Sequence, residues 1–376
     1  MSLLTDDQKM LRETAAQLMA QEGSVANELR RLRDSGCGDG FGHGLWRQFG
    51  ELGLAGICIP EAQGGMGLGA TEAALVLEEI GRNLTPSPFL TTAIAAARAL
   101  DGSAQAERWF PGMIAGETVA ALAIDEGRHH APEQVAMRAK RQGNGFELNG
   151  AKQFVVHGAS ADVILVAART AGAPGETDGL TLFAVPRDAA GLAVENVTLA
   201  DASKAARLTF DKVGLDGDAV VGEVDGGWGP LKRALDAGRA GAAAELVGVA
   251  AGASAMTLDY LKQRQQFGKL IGEFQALQHR AAHLFGEIEI ARAAAFKAAE
   301  LLDLGDANAE RMVSVAKAKA VATAALAVQE GVQMHGGIGM TDEHDIGLYM
   351  KREAVLAELF GDARFHRARV AQLSGY

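Results

Sequence analysis

The sequence predicts an α+β chain in which an N-terminal helical block, a middle antiparallel β block and a C-terminal, four-helix-bundle-like block follow one another. Three observations carry this. Apolar residues recur at helical spacing over the first third, alternate over the middle third, and return to helical spacing in Ala-rich stretches at the end. The expected bounds are residues 1–118, 119–225 and 226–376 of the 376.

The first block opens at Thr5, a plausible N-cap, with Asp6 and Asp7 in the first turn, where a carboxylate suits the helix dipole. Leu11, Ala15, Leu18 and Met19 then fall on one stripe. A break follows at GCGDGFGHG (36–44). Helical pattern resumes at LWRQFGELG (45–53) and TEAALVLEEIG (71–81). Between them, IPEAQGGMGLG (59–69) holds a proline and four glycines and reads as a loop with unusual backbone angles.

The second block contains GFELNGAKQFVV (145–156), where the pair Asn149-Gly150 predicts a hairpin turn. DVILVAART (162–170), LTLFAVP (180–186) and ARLTFDKV (206–213) read as strands bounded by Gly, Pro and Asp. In the third block, residues 237–262 are rich in Ala, Leu and Met. Residues 276–303 place Leu277, Ala281, Leu284, Ile288 and Ala291 on one stripe, and 309–332 is Ala-rich. Such small-residue surfaces let helices approach closely, in a bundle core or at a subunit interface.

Composition narrows the function. With 48% hydrophobic residues the chain can bury a sizeable core, and a net charge of −11 argues against nucleic acid or an anionic membrane as its main partner. Cys37 and Cys58 have neither C-x-x-C nor metal-ligand spacing, so no disulfide framework and no metal site are expected. The start, MSLLTDDQKMLRE, lacks a basic segment leading into an apolar run. Gly and charged residues interrupt the apolar stretches. The expectation is a soluble, cytoplasmic globular protein.

The most specific stretch is YLKQRQQFGKLIGEFQALQHR (260–280), in which Arg-x-x-Phe-Gly is followed by an apolar residue, a short gap and Phe-Gln. It resembles the signature of the acyl-CoA dehydrogenase family. IPEAQGGMGLG (59–69) and VQMHGGIGMT (332–341) extend the resemblance over essentially the whole chain. The resemblance implies an acyl-CoA dehydrogenase-like fold, FAD as cofactor, an acyl-CoA substrate, α,β-desaturation, and an electron-transfer flavoprotein or similar acceptor. It assigns Arg264, Gln266, Phe267, Ile271, Phe274, Gln333, Gly336 and Gly337 to the pyrophosphate and adenosine half of an FAD seated in the neighbouring subunit. The residue types suit this, since a guanidinium forks onto a pyrophosphate and glycines admit close approach. Taken singly, Arg264 reads rather as a helix C-terminal cation, Phe267 and Phe274 as core, and the Gly-Gly run as a helix stop; the joint pattern reverses this.

The other half of the site departs from the family's pattern. Where the family has Lys-x-Trp-Ile-Thr-Asn-Gly against the flavin ring, this chain reads KQFVVHG (152–158). Phe154 can still stack, but Val156 offers no hydroxyl. The family's Thr-Glu-Pro-x-Ala-Gly-Ser-Asp loop becomes IDEGRHHAPEQ (124–134); Asp125 and Glu126 align, the following turn is missing, and His129 and His130 read as solvated. The family's base, a carboxylate that takes the thioester α-proton while hydride leaves the β-carbon, falls at Phe360 in LFGDAR or, in other members, at Gly238 before Arg239. No catalytic residue is therefore assigned, Arg239 is assigned to substrate, and Asp236 and Asp362 are the nearest carboxylates left.

The C-terminal string GGIGMTDEHDIGLYMKRE…LFGDARFHR (336–367) also resembles the small subunits of pimeloyl-CoA-type and steroid side-chain dehydrogenases, in which a base-bearing and a base-lacking homologue form a two-plus-two heterotetramer. The resemblance implies a subunit of such an enzyme, for a bulky, ring-bearing or carboxylated thioester. Two alternatives stand beside it: a homo-oligomeric dehydrogenase with a relocated carboxylate, and a structural or regulatory partner without turnover.

Overall fold

The structure is a computed structural model that describes residues 4–376. The helices run α1 (Asp6–Gln21), α2 (Arg30–Asp34), α3 (His43–Glu51), α4 (Ala70–Asn83), α5 (Ala97–Leu100) and α6 (Ala104–Ile114). After the sheet come α7 (Trp228–Leu261), α8 (Gln275–Asp303), α9 (Ala309–His335), α10 (Ile346–Glu358) and α11 (Ala363–Leu373). The sheet strands are β1 (Ala120–Ala123), β2 (Arg138–Gln142), β3 (Gly145–Val156), β4 (Val163–Arg169), β5 (Leu180–Pro186), β6 (Leu192–Thr198), β7 (Lys204–Leu215) and β8 (Val220–Val221). Two short strands, β9 (Gln265–Gln266) and β10 (Lys269–Leu270), form a separate hairpin. The α+β order helix, sheet, helix is thus the observed one.

Two compact units divide the chain. One comprises 1–31, 70–85 and 239–376, the other 32–69 and 86–238. In the first, Thr5 caps α1 through a capping box with Gln8, as its position before the acidic turn predicts, and Ala15, Leu18 and Met19 are buried. The start of α4 is capped from afar: Asp303 accepts the N–H groups of Ala70 and Thr71. Glycines let α4 and α7 cross backbone to backbone. A Cβ on Gly81 would lie 2.0 Å from Glu245 O, and one on Gly248 2.0 Å from Glu78 O. Gly248→Ala is therefore expected to lower stability by about 3 kcal/mol, the upper end for over-packing a core. Urea unfolding measures it, and a loss under about 1 kcal/mol would mean the crossing is loose.

Two helices, Trp228–Leu261 and Ala309–Met340, reach mean hydropathies of 1.4 and 1.2 over a membrane-span window. The sequence expectation that every apolar run is broken too soon is corrected to that extent. These windows are 83% and 56% buried within the protein, as bundle-core helices are.

In the second unit the sheet order is β6-β7-β3-β2-β4-β5-β8, with β1 on β4. Pairing is antiparallel except for β1 against β4 and a single β2–β4 pair. The predicted turn at Asn149-Gly150 is not formed. The chain turns instead at 143–144, between β2 and β3, and β3 runs straight through 149–150. Asn149 marks a bulge, where the β3–β7 register shifts, and its Oδ1 accepts the Lys212 N–H at 2.9 Å. The side chain serves the ladder in place of a turn. Beside the sheet, Phe89–Ala96 forms a fully buried π-helix, a rare, widened turn often found at functional positions.

Candidate functional site

The residues assigned to FAD between 264 and 337 all lie in the first unit, at the ends of α7 and α9. Past α7 the chain folds into the β9–β10 hairpin, whose turn, Phe267-Gly268, has φ of 54° and 80°. Two residues in that conformation favour Asn-Gly. Here a phenylalanine takes the first place and stands 92% exposed, with its ring centroid 6.3 Å from that of Phe274. Phe267 is thus not core. Ile271 N–H bonds Arg264 O at 2.9 Å, which closes the loop, while Gln266 Nε2 donates to Gln265 O. Arg264 and Gln333 are exposed.

α9 ends where Gly336 takes φ 65° and donates its N–H to Gln333 O. A Cβ on Gly336, Gly337 or Gly268 would meet nothing within 4 Å. These backbones face open space. An exposed guanidinium, an exposed ring and glycine backbones open to close approach fit the diphosphate and adenosine part of FAD.

The ring-side residues lie in the second unit and do not fit as well. Phe154 sits half-buried at the second β3 bulge with φ 52°, and Val156 is buried without a hydroxyl. The 124–137 loop closes on itself. Asp125 accepts from His130 Nδ1 and Ala131 N; Glu126 accepts from Ala136 N, Met137 N and Lys152 Nζ. His130 is thus turned inward on Asp125 rather than solvated, its side chain only 5% exposed, whereas His129 is exposed. Burial lowers the pKa of Lys152, and Glu126 partly opposes this. Next to Val156, His157 packs under the π-helix, with Nδ1 2.9 Å from Thr91 Oγ1 and its ring edge-on to Phe41.

The two positions that the resemblance assigns to the family's base are Phe360 and, within α7, Gly238. Phe360 is 7% exposed and has φ 61°. Its carbonyl accepts from Arg239 Nε at 3.3 Å and His366 Nε2 at 3.2 Å. Arg239, assigned to substrate by resemblance, is 1% exposed and has its guanidinium over the Phe365 ring. Asp236 binds Lys232 Nζ at 2.6 Å, and Asp362 caps α11 by accepting the Phe365 N–H at 2.6 Å.

One residue here was not singled out from the sequence. Lys317 is fully buried, and Nζ donates to Leu356 O, Ala357 O and Gly361 O at 2.8, 3.1 and 3.3 Å. Burial pushes its pKa down to about 7, with Glu358 and Asp362 opposing. The signal was available: a lone lysine on the apolar stripe Val313, Ala316, Ala320, Ala324.

Comparison with known proteins places this geometry. The chain matches the acyl-CoA dehydrogenase N-terminal domain over residues 5–117, the middle domain over 125–213 and the C-terminal domain over 225–374. It is 32% identical over 316 residues to acyl-CoA dehydrogenase FadE12 of Mycobacterium tuberculosis, covering 81% of each chain. It is 30% identical over 370 residues to cyclohex-1-ene-1-carbonyl-CoA dehydrogenase of Geobacter metallireducens, covering 96% of this chain and 95% of the other. Among solved structures, a variant of the Tcur3481-Tcur3483 steroid ACAD superposes with a TM-score of 0.88, 30% identity and 98% of each chain covered.

The chain belongs to the acyl-CoA dehydrogenase family. That makes it an FAD-dependent oxidoreductase by class, of the kind that dehydrogenates acyl-CoA thioesters.

Proposed function

We propose that this chain is the base-lacking subunit of a heteromeric acyl-CoA dehydrogenase. In this reading a homologous subunit supplies the carboxylate and seats the flavin ring, and this chain clasps the far half of that FAD. The observation that carries the proposal is Phe360: an apolar side chain in the base position, its backbone fixed by Arg239 and His366. Gly238 at the second base position, the missing hydroxyl at Val156 and the self-closed 124–137 loop support it. FAD, when bound, supplies the hydride acceptor. Arg264, Gln266, Phe267, Ile271, Phe274, Gln333, Gly336 and Gly337 hold its diphosphate and adenosine, and Phe154 is the ring-side residue that this chain's own, eroded half-site retains.

Steroid and cyclohexene-carbonyl substrates belong to the relatives; their shared bulk supports a ring-bearing or otherwise bulky thioester here. The division at 118/119 and 225/226, a cytoplasmic location and an electron-transfer flavoprotein or similar acceptor are parts of the same proposal.

Co-expression with a base-bearing homologue, followed by flavin absorbance against protein, tests it. One FAD per pair is expected. Arg264→Ala should weaken retention by about 1.5–3 kcal/mol, the contribution of hydrogen bonds to a charged group. Full flavin loading of the chain alone, or full retention after Arg264→Ala, contradicts the reading.

A further inference from the structure

The root of the clasp is a stack of three rings. His335, the last residue of α9, is 3% exposed. Its ring centroid lies 4.5 Å from that of Tyr260 and 4.3 Å from that of His344. Tyr260 belongs to the last turn of α7, and its carbonyl accepts the Arg264 N–H at 2.9 Å. His335 leads directly into Gly336. The stack therefore joins the two arms assigned to the FAD diphosphate.

Hydrogen bonds fix what each imidazole can do. His335 Nδ1 is 2.7 Å from Gly331 O, and since a carbonyl only accepts, Nδ1 carries the proton. Nε2 then holds the lone pair, and it is buried with no hydrogen-bond partner. His344 Nδ1 accepts the Ile346 N–H at 3.2 Å, at the start of α10. A second proton on His335 would create an unpaired N–H in the interior, beside another imidazole whose plane is tilted 51° to its own. Desolvation accordingly lowers the pKa of His335; the Gly331 bond opposes and His344 adds to the lowering. The titratable groups packed on it are Tyr260 from α7 and His344 from the stretch before α10.

We propose that the Tyr260–His335–His344 stack is a positioning device that holds the two arms together while His335 is neutral and releases them when it is protonated. This deepens the FAD reading and rests on it. An imidazole freed from the stack returns to the usual value near 6.5, above its value in the stack. The hold is therefore complete above about pH 6.5 and is lost as pH falls through the lowered value.

Hydrogen–deuterium exchange of the purified full-length chain, corrected for the intrinsic pH dependence of exchange, provides the first test. Peptides spanning 262–275 and 336–345 should lose protection at pH 5.5 relative to pH 8, by up to roughly tenfold per pH unit, the limit for one proton. His335→Phe keeps a ring without the titration and should be flat; if it does not fold, His335→Gln replaces it. Equal protection at both pH values, or an unchanged pH response in the variant, overturns the proposal. The second test follows FAD release from the flavin-loaded complex by the rise in flavin fluorescence. Faster release at pH 5.5, absent in His335→Phe, is expected. If Arg264→Ala speeds release but pH does not, the stack proposal fails and the clasp stands. If exchange responds to pH while neither change moves release, the clasp reading fails and the stack's hold on the two segments stands.

Discussion

Oxidation of acyl-CoA thioesters by this chain alone should run about 10²–10⁴-fold below that of the chain paired with a glutamate-bearing homologue, the usual contribution of a positioned acid–base group. Neither Phe360 nor Gly238 can accept a proton, and the α-proton of a thioester leaves slowly without a base. The nearest carboxylates are already engaged, Asp236 with Lys232 and Asp362 with the first turn of α11. Dye-linked assays over a panel of acyl-CoA esters measure the difference. Robust turnover by flavin-loaded homo-oligomers would sink the idea, and loss of that turnover in Asp236→Ala or Asp362→Ala would then identify a displaced base.

The second large effect concerns Lys317. Its pKa is about 7 in the folded chain against an ordinary 10.5, so the unfolded chain binds the extra proton throughout that window. Stability due to this group is therefore absent below pH 7 and rises with pH until about 10.5, by about 1.4 kcal/mol per pH unit. Lys317→Met should remove that slope while leaving up to two of the carbonyls of Leu356, Ala357 and Gly361, the number a neutral amine can serve, without their donor, a cost of about 1–3 kcal/mol for each buried acceptor left unpaired. Urea unfolding between pH 7 and 10 reads both. The same slope in the variant would mean that another group carries it.

Much of the architecture was legible because local chemistry and tertiary packing agree. Thr5 before an acidic turn is an N-cap in sequence and in structure, and the bounds of β5 coincide with LTLFAVP. Sequence reasoning failed where a side chain took over a backbone task. Asn149 looked like a turn because Asn-Gly tolerates positive φ; in the sheet it bonds Lys212 across a bulge instead. β2, RAKRQ, is mostly exposed and charged and offers no apolar alternation to detect. The apolar run FLTTAIAA cannot reveal that its helix is widened to the π form.

At the candidate site, spacing located the residues but not their burial. Arg239 and Phe360 were found as positions, yet only three-dimensional packing shows that the arginine bonds the turn's carbonyl. His335 and His344 lie nine residues apart in sequence, and nothing in that interval announces that their rings stack. Lys317 was hidden by its neighbours, an alanine-rich stripe on which one long amine attracts little notice.

The exposed turn at Phe267 has a consequence for how the chain behaves in bulk. An aromatic ring held out at the tip of a hairpin, in a left-handed backbone that favours Asn or Gly, gives an unpaired copy adhesive surface, and Met340, 76% exposed, adds to it. On the heteromeric reading proposed above, an unpaired copy is expected to self-associate more as concentration rises, and its yield to depend on how closely synthesis of a mate keeps pace. Matched expression of the two chains would then protect solubility as much as catalysis.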